Sequence, residues 1–233
     1  MSIENFEFQA EVGKILNIVA NSLYSEKEIF IREYISNASD ACDKLRYESL
    51  QNRKIANSEE LKILITFSKK TKTINIIDNG IGMEKEELIK SLGTIAKSGT
   101  EEFIKKLETN KEKNIDQIGK FGVGFYSGFM VADKISVLSR KAGSKTGWKW
   151  TSDGKGGFNL EEAASHKNGT KVTLELKANA DEFLESIRLS TVIKKYSDHI
   201  NYPVSLLDED DKSGKEEKVN QSLALWTKNK NDL

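Results

Sequence analysis

The sequence has one cysteine, one proline and two histidines in 233 residues. With Cys42 alone, neither an internal disulfide nor a cysteine-based metal cluster can form, and a reducing, cytosolic compartment fits best. His166 and His199 lie far apart, which argues against a histidine metal site or a Ser-His-Asp triad. Charge of one sign is missing too. Lys plus Arg number 36 and Asp plus Glu 36, so no net basic field draws the chain to nucleic acid or to an anionic membrane. No apolar run reaches the ~18 residues of a membrane span. The opening MSIENFEFQAEV has neither the basic nor the apolar region of a signal peptide.

What is there begins with Glu28 to Tyr47, EIFIREYISNASDACDKLRY. At about 100° per residue this stretch sorts into three arcs. Phe30, Tyr34, Ala38, Ala41, Cys42 and Leu45 form an apolar face. Arg32, Ser36, Ser39, Asp43 and Arg46 form a solvent face. Glu33, Asn37, Asp40 and Lys44 make a stripe between them, at the rim of the core. Asp40 and Lys44 could be a plain i, i+4 ion pair. Two acids flanking an amide also make a good oxygen site for Mg²⁺ and its waters, with one acid left over as a base.

Along the chain, Phe6 and Phe8 predict a short strand, followed by a helix from Ala10 to Asn21. Strands are expected at Leu61–Ser68 and Thr71–Ile77, and a short helix at Lys85–Leu92. Glu101–Leu107 reads as helix within a polar, glycine-flanked segment, Gly93 to Gly124, that has little to bury and is expected to move. Phe125–Val131 reads as helix. Strands are expected near Lys134–Arg140, Thr146–Thr151 and Lys171–Leu176. A helix follows at Ser186–Ile200, ended near Pro203, and then a last strand at Val204–Leu207. Charged content of 31% and no regular βαβ repeat predict one soluble mixed domain, residues 1–207. Residues 208–222 read as a charged linker. Leu223, Leu225 and Trp226 restart an apolar pattern over 223–233, as in a fragment that stops at the threshold of another domain.

Two glycine loops could hold a nucleotide. Asp78-x-Gly80-x-Gly82 follows a strand, where a carboxylate can accept from an exocyclic amino group and glycines let a planar ligand approach. Gly119-x-x-Gly122-x-Gly124 precedes the Phe125 helix, whose N–H groups can meet phosphate. It is neither a Rossmann fingerprint nor a P-loop, and a flexible hinge explains it equally well. Gly169-Thr170 opens a strand and, alone, reads as a turn.

Taken in order, E-x-x-x-N-x-x-D, D-x-G-x-G, G-x-x-G-x-G and G-T resemble the ATP-binding fold shared by gyrase B, the 90-kDa heat-shock chaperones, histidine kinases and MutL. EIFIREYISNASDACDKLRY, DNGIGM, LGTIAKSGT and IGKFGVGFYSGFMVAD are most similar to the chaperones, and the short linker and LWTKN to their bacterial branch. The likeness runs from Phe6 to about Leu206.

The resemblance implies an α/β fold, a two-layer sandwich with a mixed, mainly antiparallel sheet. It implies an N-terminal domain that binds ATP and Mg²⁺, and slow hydrolysis driving a chaperone cycle on client proteins in a homodimer. Glu33 would position or deprotonate the attacking water, and Asn37 would hold the metal. Asp40 and Lys44 would line the same side. Asp78 would take the adenine amino group, with Thr170 and Gly82 assisting through water, and Met83 would pack on the base. Lys97, Gly122, Gly124 and Phe125 would approach the phosphates under a lid formed by Gly93 to Gly124. A phosphate-stabilising Arg would come from a following domain. Ser91 stands where some relatives carry an Asn that contacts the nucleotide. The rival readings are a DNA-maintenance ATPase of the MutL or gyrase B type, a histidine kinase catalytic domain, and a non-catalytic interaction module. Zero net charge and LGTIAKSGTEEF favour the chaperone over the first.

Overall fold

The computed structural model describes residues 3–7, 26–55, 59–93, 124–164 and 167–221. The predicted helices at 10–21 and 101–107, nearly all of the expected lid, and the apolar restart at 223 lie outside them. Among the described residues no helix is long and apolar enough to cross a membrane.

The Glu28 stretch forms helix α1, Ile29–Gln51. Its apolar face is buried as the period requires except at the half-buried Ala41, with Phe30 and Cys42 wholly enclosed. Ile31, Ile35 and Ser39 are buried as well, because the first half of α1 has neighbours on more than one side. One of these is the 3₁₀ segment Gly124–Met130. Another is helix α3, Ser186–Ser197, which follows the short helix α2, Lys85–Leu92, in chain order. The start of α1 is fastened to α3 through the buried Glu28. Its carboxylate accepts from Arg188 Nη2 at 2.6 Å, Lys195 Nζ at 2.8 Å and the Tyr196 hydroxyl at 2.8 Å. Although burial works against ionisation, those hydrogen bonds and cations bring the Glu28 carboxyl down to about 2.

Opposite the helices lies one sheet. In chain order its strands are β1 Ile3–Glu7, β2 Ile63–Ser68, β3 Thr73–Asp78, β4 Ala132–Arg140, β5 Gly147–Ser152, β6 Gly157–Ala163, β7 Gly169–Leu176, β8 Val204–Asp208 and β9 Glu217–Lys218. Their spatial order is β1-β6-β5-β4-β7-β3-β2-β8-β9. Among the described residues only the β2–β8 pair is parallel. This is the mixed, mainly antiparallel sheet of a two-layer α/β sandwich. Between the layers Phe125 meets Trp150 and Tyr34 edge-on, with ring centroids at 5.4 and 5.8 Å. Phe30 meets Phe183 in the same way at 5.1 Å. Such pairs add to the ~1.5–3 kcal/mol that burying each large side chain contributes.

Three elements differ from expectation. Gly124–Met130 is 3₁₀ rather than α-helical, and side chains take its carbonyls: the Tyr34 hydroxyl donates to Phe125 O at 2.6 Å and Ser127 Oγ to Gly124 O at 2.6 Å. Strand β6 was not predicted. Only Phe158 and Leu160 point inward in it, too short an alternation to read alone. The charged stretch 208–222, expected as a linker, is tied to the sheet as far as residue 221. Glu209 accepts from Thr66 Oγ1, Asp210 from Ser68 Oγ, and Asn220 Oδ1 from the Val204 N–H. β9 pairs with β8.

Candidate functional site

Helix α1 and the middle of the sheet enclose a cavity of about 350 Å³, in the size range of small-molecule sites. Its floor is a grid set by strand register. Val137, Val172 and Ile76 lie side by side on β4, β7 and β3, and two residues along, on the same face, lie Ser139, Thr170 and Asp78. An apolar row thus ends in a polar row where the three strands end. All of these except Ser139 line the cavity, together with Ile81 and Leu92.

From α1 the structure brings Glu33, Asn37 and Asp40 to the cavity wall. Glu33 is buried, and its Oε1 accepts from Arg32 Nη2 at 2.7 Å and Nε at 3.1 Å. Its Oε2 sits against the backbone of Gly124, where a Cβ would come within 2.3 Å of it. The missing side chain at Gly124 is what makes room for this carboxylate. Asn37 is exposed to the cavity. Partial burial, with neighbouring Asp43 adding to it, pushes the Asp40 carboxyl up. Lys44 is exposed and does not reach the wall; its charge is felt by Glu87 instead.

Asp78 closes the sheet end of the cavity. Burial drives its carboxyl up to about 7, against the pull of the Gly80 and Thr170 backbone N–H groups. The Gly80 N–H donates to Oδ1 at 2.9 Å. The loop beyond is pinned on two sides: Ile81 N donates to Ala41 O on α1 at 3.0 Å, and Ala142 N donates to Ile81 O at 2.7 Å. Gly82 has φ +66°, and a Cβ there would stand 2.0 Å from Arg140 O. Only glycine suits that place. Gly82, Met83, Gly124, Phe125 and Thr170 all line the cavity, as does Ser91. Lys97 and Gly122 lie outside the described residues.

Sequence reasoning missed the valine floor and Ser139. The inward alternation Ile135, Val137, Ser139 along β4 carried the signal, but it becomes a site only through registry with β7 and β3. No group of three or more His, Cys, Asp or Glu that could hold a metal occurs among the described residues. A cation here would depend on a ligand's own oxygens and on water, with the Asn37 amide and the flanking carboxylates in support. That mode suits Mg²⁺, which keeps several waters and takes few protein ligands.

Comparison with known proteins fits this geometry. The family described as "Histidine kinase-, DNA gyrase B-, and HSP90-like ATPase" matches residues 24–156. The chaperone protein HtpG of Paramagnetospirillum magneticum is 50% identical over 234 residues, covering 100% of this chain and 37% of that protein. HtpG of Wolbachia pipientis wMel is 50% identical over 234 residues, covering 99% of this chain and 36% of that protein. HtpG of Anaplasma phagocytophilum is 51% identical over 233 residues, again 99% of this chain and 36% of that protein. The chain therefore spans little more than a third of the length of these curated relatives. The matched stretch takes in α1, the Asp78 loop, the 3₁₀ segment that seats Glu33 and strand β4, and on that match the chain belongs to the histidine kinase-, DNA gyrase B- and HSP90-like ATPase family.

Proposed function

We propose that this chain is the nucleotide-binding part of an ATP-dependent chaperone, taking ATP with Mg²⁺ between α1 and the Asp78 loop. The observation that carries this reading is one apolar-floored cavity with a polar pair, Asp78 and Thr170, at one end, and Glu33, Asn37 and Asp40 along its wall. Asp78 takes the amino group of adenine, Gly82 and Thr170 assist, and Met83 packs on the base. Asn37 is the protein ligand of Mg²⁺, which when bound neutralises phosphate charge. Asp40 supports that side. Lys97, Gly122, Gly124 and Phe125 approach the phosphates.

Glu33 is the general base or orients the water, a role typically worth ~10²–10⁴ in rate. Its seat between Arg32 and Gly124 supports this, since a fixed carboxylate loses nothing to reorientation. Residues 1–207 make up the nucleotide-binding domain, 208–222 a charged linker, and 223–233 the start of a following middle domain. In the longer protein the unit works as a cytoplasmic homodimer on client proteins under stress, without nucleic acid or membrane as partner. Hydrolysis by the 233-residue chain alone is slow.

Calorimetric titration with ATP, ADP and GTP, with and without Mg²⁺, tests the reading. Adenine nucleotides are expected to bind and Asp78→Asn to weaken them at least ~tenfold, since ~1.4 kcal/mol suffices for that. Wild-type affinity in Asp78→Asn would refute the assignment.

A further inference from the structure

We infer that Ser139, which does not touch the cavity, determines which way the hydroxyl of Thr170 points and so selects ligands that present N–H donors to the Asp78 end of the site. This rests on the nucleotide reading above and names the residue that sets its base preference.

Ser139 is wholly buried at the end of β4, beside Thr170 in register. Three polar groups meet its oxygen. Met83 N–H donates to it at 2.9 Å. Gly169 O lies 3.1 Å away and can only accept. Thr170 Oγ1 lies 2.9 Å away and can do either. A serine hydroxyl has one proton and two lone pairs. With its proton on Gly169 O and one lone pair filled by Met83 N–H, the remaining lone pair takes the Thr170 proton. Every valence of Ser139 is then used, and the Thr170 oxygen turns its own lone pairs to the cavity. In the same row Asp78, once ionised, offers carboxylate oxygens. The polar end of the site is thus a pair of acceptors. It welcomes the amino edge of adenine and meets the 6-oxygen of hypoxanthine or guanine with like lone pairs, a mismatch that leaves buried acceptors unpaired.

Without the Ser139 oxygen, the Thr170 proton is free to turn into the cavity and donate. The test, run at pH 8 where Asp78 is ionised, compares ADP with inosine diphosphate, in which a 6-oxygen replaces the amino group and N1 carries a proton in place of adenine's lone pair. Wild type should prefer ADP. Ser139→Ala should lose about five- to tenfold in ADP affinity with little loss for inosine diphosphate, so the preference shrinks. Ser139→Thr, which keeps the hydroxyl, should restore the preference. In a Thr170→Val background Ser139→Ala should add less than about twofold.

A merely structural serine would weaken both ligands by one factor, and its effect would survive in Thr170→Val; either result overturns the inference. If Ser139→Ala does not fold, Ser139→Cys, which keeps the shape with weaker hydrogen bonds, should shift the ratio the same way, and an unchanged ratio in it refutes the proposal. A wild type that binds neither diphosphate would overturn the nucleotide reading itself, and one that binds both equally would overturn the inference about base preference. Undiminished preference in Ser139→Ala would sink only the role of Ser139.

Discussion

The carboxyl of Asp78 is held by two backbone N–H groups and otherwise buried, and this makes both folding and binding depend on pH in a calculable way. Its ordinary value of 3.8 rises to about 7 in the folded chain. Between those values the folded chain keeps a proton that the unfolded chain has released. The folded state therefore binds more protons, and stability falls as pH rises. The contribution is complete below about 4, declines through the window up to about 7, and is gone above it. A rise of this size corresponds to about 4 kcal/mol at most, of which about 2–3 kcal/mol falls between pH 5 and pH 8.

Urea unfolding of wild type and Asp78→Asn across that range reads the effect directly, because the amide does not titrate. Wild type should lose about 2–3 kcal/mol relative to the variant on going from pH 5 to pH 8. A bound adenine ring reverses the balance, since its N–H donors favour the carboxylate. Adenosine, which has no group of its own titrating there, should release close to one proton on binding at pH 5.5, about half a proton at pH 7 and almost none at pH 8.5. Calorimetry in buffers of different ionisation enthalpy measures that number. A stability difference that does not vary with pH, together with adenosine binding that releases no proton at pH 5.5, would refute the reasoning.

The parts of this site that were legible in the sequence are those that a single element decides. The α1 period orders Glu33, Asn37 and Asp40 along one face, and all three reach the cavity. The same period carries Lys44 past it. At 1.5 Å per residue Lys44 stands about 16 Å along the axis from Glu33, a full turn beyond Asp40, the last residue of the stripe to line the cavity. Asp78 was legible only through its place in the ordered set of motifs, since many turns share an acid before two glycines. The 3₁₀ form of Gly124–Met130 was not legible, since it depends on the Tyr34 hydroxyl reaching Phe125 O from 91 residues away. Ser139 was not legible for the same kind of reason: a serine in an alternating strand is unremarkable until registry sets it beside Thr170. Local period gave the helix and its stripe, while non-local pairing built the floor and its polar end.

Further outcomes follow from the same geometry. Gly82→Ala should destabilise the chain by more than ~2 kcal/mol, because a left-handed φ costs ~1–2 kcal/mol for alanine and its Cβ would meet Arg140 O at 2.0 Å; thermal unfolding checks this, and a neutral result would mean that the loop yields. Glu28→Gln should cost about 2 kcal/mol at neutral pH, less than breaking a fully buried pair because Lys195 and Arg188 reach solvent. The lowered Glu28 carboxyl gives a contribution that is complete above about 4.5 and lost as pH falls toward about 2, so variant and wild type should converge in acid denaturation. Glu33→Ala should keep ATP binding within a few-fold, because a base acts mainly in the transition state, whereas Asn37→Ala should weaken only the Mg²⁺-dependent part of binding. In a longer protein that includes the following domains, turnover should rise for wild type and stay near background for Glu33→Ala. Gly124→Ala should mimic that loss in part, since its Cβ must push the Glu33 carboxylate from its seat. Wild-type turnover in both Glu33→Ala and Gly124→Ala would make Glu33 a structural acid that merely fills the space beside Gly124.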